Sequence, residues 1–316
     1  MTKSSRRPHL LALSTAAATW LLLMVGCMVH GTGSSLACPD WPTCYGTFFP
    51  EMKNGVEYEH THRLVATAVG FMTLALALVL FLVARKPGAS AHERQNAKLG
   101  YLAAFLVVGQ GVLGGITVLY QLPLGVTLAH LGTSVCFFSL LVWIALRTRV
   151  PSSASKPQSS GIRQLVAIGG ILTLGQIVLG GVVRHTHNGL ACLQVPLCEQ
   201  GAWPARIGQK IQMGHRYYAV TLALWIIGVA WTIFRRTDKG DRARLIAATQ
   251  VVLVLTQIVL GLVSVWKSLP LLPVTAHLGV AALILISHVI LFVRLPRASR
   301  EPSPLVTHAP SEAVTA

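Results

Sequence analysis

Leu36-Ala37-Cys38-Pro39-Asp40-Trp41-Pro42-Thr43-Cys44 and Leu190-Ala191-Cys192-Leu193-Gln194-Val195-Pro196-Leu197-Cys198 read as one motif written twice, L-A-C-x-x-x-P-x-C. Further matches follow each copy in the same order and at a nearly constant offset. His62-Arg63 answers to His215-Arg216, and Ala129-His130-Leu131-Gly132 to Ala276-His277-Leu278-Gly279. Matching order and spacing read as an internal duplication. Around the motifs run eight apolar stretches, near 10–29, 62–84, 99–120, 124–146, 163–184, 211–234, 244–266 and 271–293. Each is long enough to cross a hydrocarbon core, which takes roughly 20 helical residues. The expectation is an all-α integral membrane protein of two duplicated four-helix bundles. The halves are residues 1–147 and 163–295, with a Ser- and Pro-rich linker over 148–162 and a disordered tail over 296–316.

Composition agrees. The 316 residues are 53% hydrophobic and 11% charged, with a mean hydropathy of +0.61, too little charge to solvate a globular surface. Lys and Arg number 26 against 10 Asp and Glu. Most of the basic residues fall at the N-terminus (Lys3, Arg6, Arg7), around the even-numbered loops, and at the C-terminal end (Arg294, Arg297, Arg300). The positive-inside rule then places both termini in the cytoplasm and the cysteine loops outside. The sequence pI of about 10.3 is a consequence of that topology, and no nucleic-acid partner is expected. Met24-Val25-Gly26-Cys27 has the look of a lipoprotein cleavage site. A cleaved leader is the poorer reading, because the same segment recurs in mid-chain.

Of 12 histidines, His9, His92 and His308 fall in loops or tails, and His288 reads as a solitary buried hydrogen-bonding residue. His62, His130, His215 and His277 stand apart. Each lies within about two turns, some 10 Å, of the extracytoplasmic end of its helix, and all four keep the repeat register. Ionisable groups inside a membrane are functional candidates. A neutral imidazole is an iron ligand, and bundles build cofactor sites from facing helices. Helices two and four offer one bis-histidine haem site, six and eight the other. A structural zinc site would want four closely spaced N or S ligands. Arg63 and Arg216 are candidates for haem propionates, the bland alternative being positive charge at a helix end. A Gln-x-Val-Leu-Gly pattern (Gln110–Gly114, Gln176–Gly180, Gln257–Gly261) reads as helix packing through small residues.

The halves differ chemically. Glu59 stands three residues before His62, whereas Gln212 holds that place before His215. A carboxylate in one half only points to proton chemistry there. Glu57 and His60 fit the same E-x-x-H spacing and are second choices, because only His62 is followed by Arg in register with the other half. The cysteine pairs Cys38–Cys44 and Cys192–Cys198 close short loops on the oxidising side, where disulfides persist. They read as structural staples, electron exchange being the alternative. Cys27 and Cys136 read as small apolar residues.

These residues resemble the haem A synthase family. The segment Thr32-Gly33-Ser34…Cys38…Trp41-Pro42-Thr43-Cys44, the Glu59-x-x-His62-Arg63 motif and the histidines of helices four, six and eight carry the likeness, which covers about residues 10–293. The resemblance implies oxidation of the C8 methyl of haem O to a formyl group by successive hydroxylations, giving haem A for cytochrome oxidase. It implies substrate haem O at His62 and His130, a haem b iron at His215 and His277, and a role in activity for Glu59. An unidentified electron donor, haem O synthase and cytochrome oxidase assembly factors are the implied partners. The second loop departs from the first, with Val195-Pro196 in place of Trp-Pro. The alternatives are a di-haem b-type cytochrome passing electrons from quinol, a haem transporter, and a prenyltransferase forming haem O. The last would need paired Asp motifs for diphosphate and Mg²⁺, and Asp40, Asp238 and Asp241 make none.

Overall fold

The computed structural model describes residues 3–149, 160–199 and 201–295. Its helices are α1 (Lys3–Gly31), α2 (Val56–Ala84), α3 (Ala91–Leu119), α4 (Leu124–Thr148), α5 (Ser160–His185), α6 (Ile207–Arg236), α7 (Arg242–Trp266) and α8 (Leu271–Arg294). All eight are long and apolar enough to span a membrane, and no strand occurs among the described residues. Most of the expected linker and the whole expected tail, with His308, lie outside the described residues.

Every helix covers its apolar stretch to within a residue, and most run on past it, because hydropathy registers only the part in hydrocarbon. The difference matters at α2. His62 does not open this helix: it begins at Val56 after Gly55, whose φ of 93° only glycine adopts freely. Glu59 and His60 are therefore helical. α3 starts early on a capping box, in which Glu93 N–H donates to Ser90 Oγ and Ser90 N–H donates to Glu93 Oε2 at 2.7 Å. His9 and His92, expected in loops or tails, are helical, and His9 Nδ1 lies 2.8 Å from the Ala145 carbonyl oxygen.

Within each set of four, every helix packs on its chain neighbours, and the first packs on the fourth. The sets meet through α1 on α8, α4 on α5 and α4 on α8. Association in lipid relies on close backbone approach. A Cβ at Gly100 of α3 would lie 3.2 Å from the Ala77 Cα of α2. Across the junction Trp20 Nε1 donates to the Gly279 carbonyl at 3.0 Å. The largest buried cluster joins Ala12, Leu76, Val135, Leu141, Ile177 and Leu285 from both sets. Phe71, Phe105 and Leu245 point outward, as a lipid-facing surface requires. With an even number of crossings between them, the loops after α1 and α5 share one side of the membrane.

Candidate functional site

Each cysteine loop hangs from the helix that follows it. Cys38 and Cys44 are disulfide-bonded, as are Cys192 and Cys198. In the first loop, Cys38 N–H donates to Glu59 Oε2 at 2.8 Å. Arg63 donates through Nη1 to the carbonyls of Asp40 (2.7 Å) and Thr43 (2.5 Å), and through Nη2 to Cys38 O (3.4 Å) and Glu59 Oε1 (2.6 Å). The second loop uses the same frame. Cys192 N–H donates to Gln212 Oε1, Gln212 Nε2 donates to Gly189 O at 2.7 Å, and Arg216 donates to the carbonyls of Gln194, Pro196 and Cys192. Both terminal nitrogens of Arg63 and of Arg216 are thus engaged with loop backbone.

Asp40 turns the first loop. Its carboxylate accepts from the Thr43 hydroxyl and from the N–H groups of Tyr45 (2.6 Å) and Gly46 (2.9 Å). The Thr43 hydroxyl, then these amides, hold it below the usual carboxylate range. Trp41 lies across α3 at Gly115, where a Cβ would come within 2.8 Å of the indole.

Below the loops stand the four histidines, on α2, α4, α6 and α8. His62 and His130 lie within electrostatic reach of each other, as do His215 and His277. Nδ1 of His62 and of His277 is buried without a hydrogen-bond partner. Each ring meets a glycine of the preceding odd-numbered helix, His62 at Gly26, His130 at Gly114, His215 at Gly180 and His277 at Gly261. Two facing pairs of imidazoles, with no carboxylate hydrogen-bonded to any of the rings among the described residues, fit the donor set of a bis-histidine haem.

Glu59 is 4% exposed and bonded to both Arg63 and the loop. Glu57 instead accepts from Gly55 N–H at 3.0 Å, at the helix start. His60 is buried against the disulfide, within 4.8 Å of both sulfurs, with Nδ1 unpartnered. His288 is buried as expected, but neither ring nitrogen reaches a partner in good geometry; the ring lies on Gly169 and Gly170 of α5. One cluster escaped notice in the sequence. His30 packs tilted against His185 and stacks on His187, with ring centroids 4.4 and 6.4 Å apart, and with Arg184 it borders a cleft of about 280 Å³ between the two sets. The signal was there, since His30 and Arg184 are related by the offset that relates Cys38 to Cys192.

Fold and site together define a polytopic membrane protein whose two helical sets each present a pair of intramembrane histidines beneath a disulfide loop. A profile of the family described as "Cytochrome oxidase assembly protein" matches residues 51–289. The chain is also similar to the "Heme A synthase" of Bacillus pumilus, 30% identical over 277 residues, covering 85% of this chain and 89% of the relative. That of Bacillus licheniformis is 30% identical over 84% and 89% of the two chains, and that of Geobacillus kaustophilus 28% identical over 96% of each. The chain belongs to the cytochrome oxidase assembly protein family.

Proposed function

We propose that this multi-pass plasma-membrane protein is a haem A synthase, oxidising the C8 methyl of haem O to a formyl group for use in cytochrome oxidase. Relatives that carry this name match along most of the chain. The observation that carries the reading within the molecule is the exchange of Glu59 for Gln212 in an otherwise repeated frame. A purely electron-passing pair of sites has no use for a titrating group in one half only.

In this reading His62 and His130 hold the substrate haem, and His215 and His277 ligate the iron of a haem b. When bound, that haem b supplies one-electron redox chemistry. The rest falls to the chain. Helices α2 and α4 would orient the substrate through His62 and His130. The disulfide loops cap the sites on one side, with Glu59 and Gln212 fastening them. Glu59 is placed to hold or move a proton at its carboxylate oxygens, as methyl oxidation must release protons with electrons. Arg63 and Arg216 act first on the loops, and a haem propionate would have to replace one of their carbonyl bonds.

Haem extraction and chromatography from membranes of a haem O-producing host expressing the chain tests the function. Haem A should appear. Its absence, with haem b bound, would favour the electron carrier.

A further inference from the structure

Haem carries two propionates, and a carboxylate leaving bulk water seeks a cation. The arginines beside the histidines are already spent, since both terminal nitrogens of Arg63 and of Arg216 are bonded to the loops. Arg184, at the outer end of α5, is not. Its Nε is buried without a hydrogen-bond partner, and among the described residues it pairs with no carboxylate. A guanidinium drawn out of water with no anion to offset the loss costs free energy.

The register of α5 aims it. Gly180, against which the His215 ring lies, comes four residues before Arg184, so the two share a helix face about 6 Å apart along the axis. Nη2 of Arg184 reaches toward α1 and α8: a Cβ built on Gly31 would lie 3.5 Å from it and 2.5 Å from Leu271 Cδ1. In the second set α6 packs on α5 and α7 but not on α8, so α6 and α8 stand diagonally opposed. A planar group held between His215 and His277 therefore turns its edges toward α5 and α7, with Arg184 one turn outward of the α5 edge.

Across the cleft from the guanidinium stand His30, four residues after Gly26 in α1, and His187. The cleft's 280 Å³ falls short of the roughly 300–1,000 Å³ that takes a whole small-molecule ligand, and suits the acid arm of a larger one. A metal fits poorly. Among the described residues the ring nitrogens of His30, His185 and His187 do not converge within 4.8 Å of one another, and a guanidinium repels a cation. Carboxylate and guanidinium match in shape as well as in charge.

We propose that Arg184 receives a propionate of the second-site haem b in this cleft, with His30 completing the grip from the other set. The inference rests on the haem b of the function proposed above, and it moves the propionate from Arg216 to Arg184.

Esterifying the propionates removes their charge without touching the iron ligands, and so tests the contact apart from catalysis. The purified chain, carrying its second-site haem as the free acid or as the dimethyl ester, is followed as haem passes to a haem-scavenging apoprotein. In the wild type the ester should leave about 10–100-fold faster, the worth of one charged hydrogen bond. Arg184→Gln should keep the low-spin spectrum and release the free acid about as fast as the ester. Arg184→Lys should fall between the two. His30→Ala should speed release of the free acid and not of the ester, and Arg216→Gln should keep the full ester penalty. A full ester penalty in Arg184→Gln overturns the proposal and leaves the cleft to a phosphate or a lipid headgroup. Loss of the penalty in Arg216→Gln overturns it as well. Haem A formation is scored separately. A penalty abolished by Arg184→Gln in a chain that makes no haem A would overturn the function alone, and haem A with the penalty intact this inference alone.

Discussion

Changing Glu59 to Gln separates its two tasks, because the second half already shows what a glutamine does in that place. In the structure the carboxylate makes two bonds, from Cys38 N–H at 2.8 Å and from Arg63 at 2.6 Å. The pair's side chains are 5% and 13% exposed, so water screens little of it. The amide introduced by Glu59→Gln would keep the Cys38 bond, as Gln212 keeps that of Cys192. It would lose the charged bond to Arg63, of a kind worth about 1.5–3 kcal/mol. Arg63 retains the carbonyls of Asp40, Thr43 and Cys38, which offsets part of that loss, so we expect a net destabilisation of roughly 2 kcal/mol or less. Glu59→Ala would also orphan the Cys38 N–H, adding about 1–3 kcal/mol. Activity should separate from stability. Without a titrating group, haem A formation in Glu59→Gln should fall by about 10²–10⁴-fold, while haem b per chain stays constant. Substrate or a hydroxymethyl intermediate should accumulate. The assays are haem extraction with chromatography, the reduced spectrum, and thermal unfolding in detergent. A wild-type rate of haem A formation in Glu59→Gln refutes the proton role. If Glu57→Gln abolished it instead, the motif would have been read in the wrong frame.

His215→Ala and His277→Ala should each remove most of the bound haem b, seen as loss of the low-spin bis-histidine spectrum. An unchanged spectrum in both would refute the second site. Peptide mapping without reductant should recover Cys38–Cys44 and Cys192–Cys198 as local pairs, and losing a pair should lower folded yield more than activity per folded molecule. Asp40 is held ionised by its bonds, so its contribution is present at neutral pH and is lost as pH falls from about 4 toward its depressed value. Limited proteolysis should show the first loop opening across that acid range, and Asp40→Asn should open it at neutral pH. Gly115→Ala places a methyl 2.8 Å from Trp41, a misfit costing about 1–3 kcal/mol, read as lowered thermal stability with the disulfide intact.

The eight spans and the cysteine pairs were legible because each is a local property. Hydropathy over some 20 residues finds a crossing, and two cysteines in one short loop have few other partners. What sequence could not give were partners set by packing. Arg63 and Arg216 sit beside histidines and invite a propionate, yet apart from the Glu59 carboxylate on Arg63 their oxygen acceptors are carbonyls of loops 20–25 residues away in the chain, which only the folded loop delivers. The Gln-x-Val-Leu-Gly repeats were visible, but as small-residue packing. That they receive imidazoles, and that Gly26 joins them without its glutamine, depends on how α1 lies on α2. The first turn of α2 was hidden because Val56–Thr61 mixes charged and polar residues outside the hydrocarbon.

The loops are hung alike in the two halves. Each is fastened through a cysteine N–H to the side chain three residues before a histidine, and through its backbone carbonyls to the arginine that follows that histidine. Glu59 stands where the second half has a neutral amide, so only the first loop is held by a group that can also carry a proton. Gln212 fastens its loop from both ends of the amide, accepting from Cys192 N–H and donating to Gly189 O, and does so without a charge. Holding the loop therefore does not require a carboxylate, and in the function proposed above that difference assigns the proton chemistry to the first site.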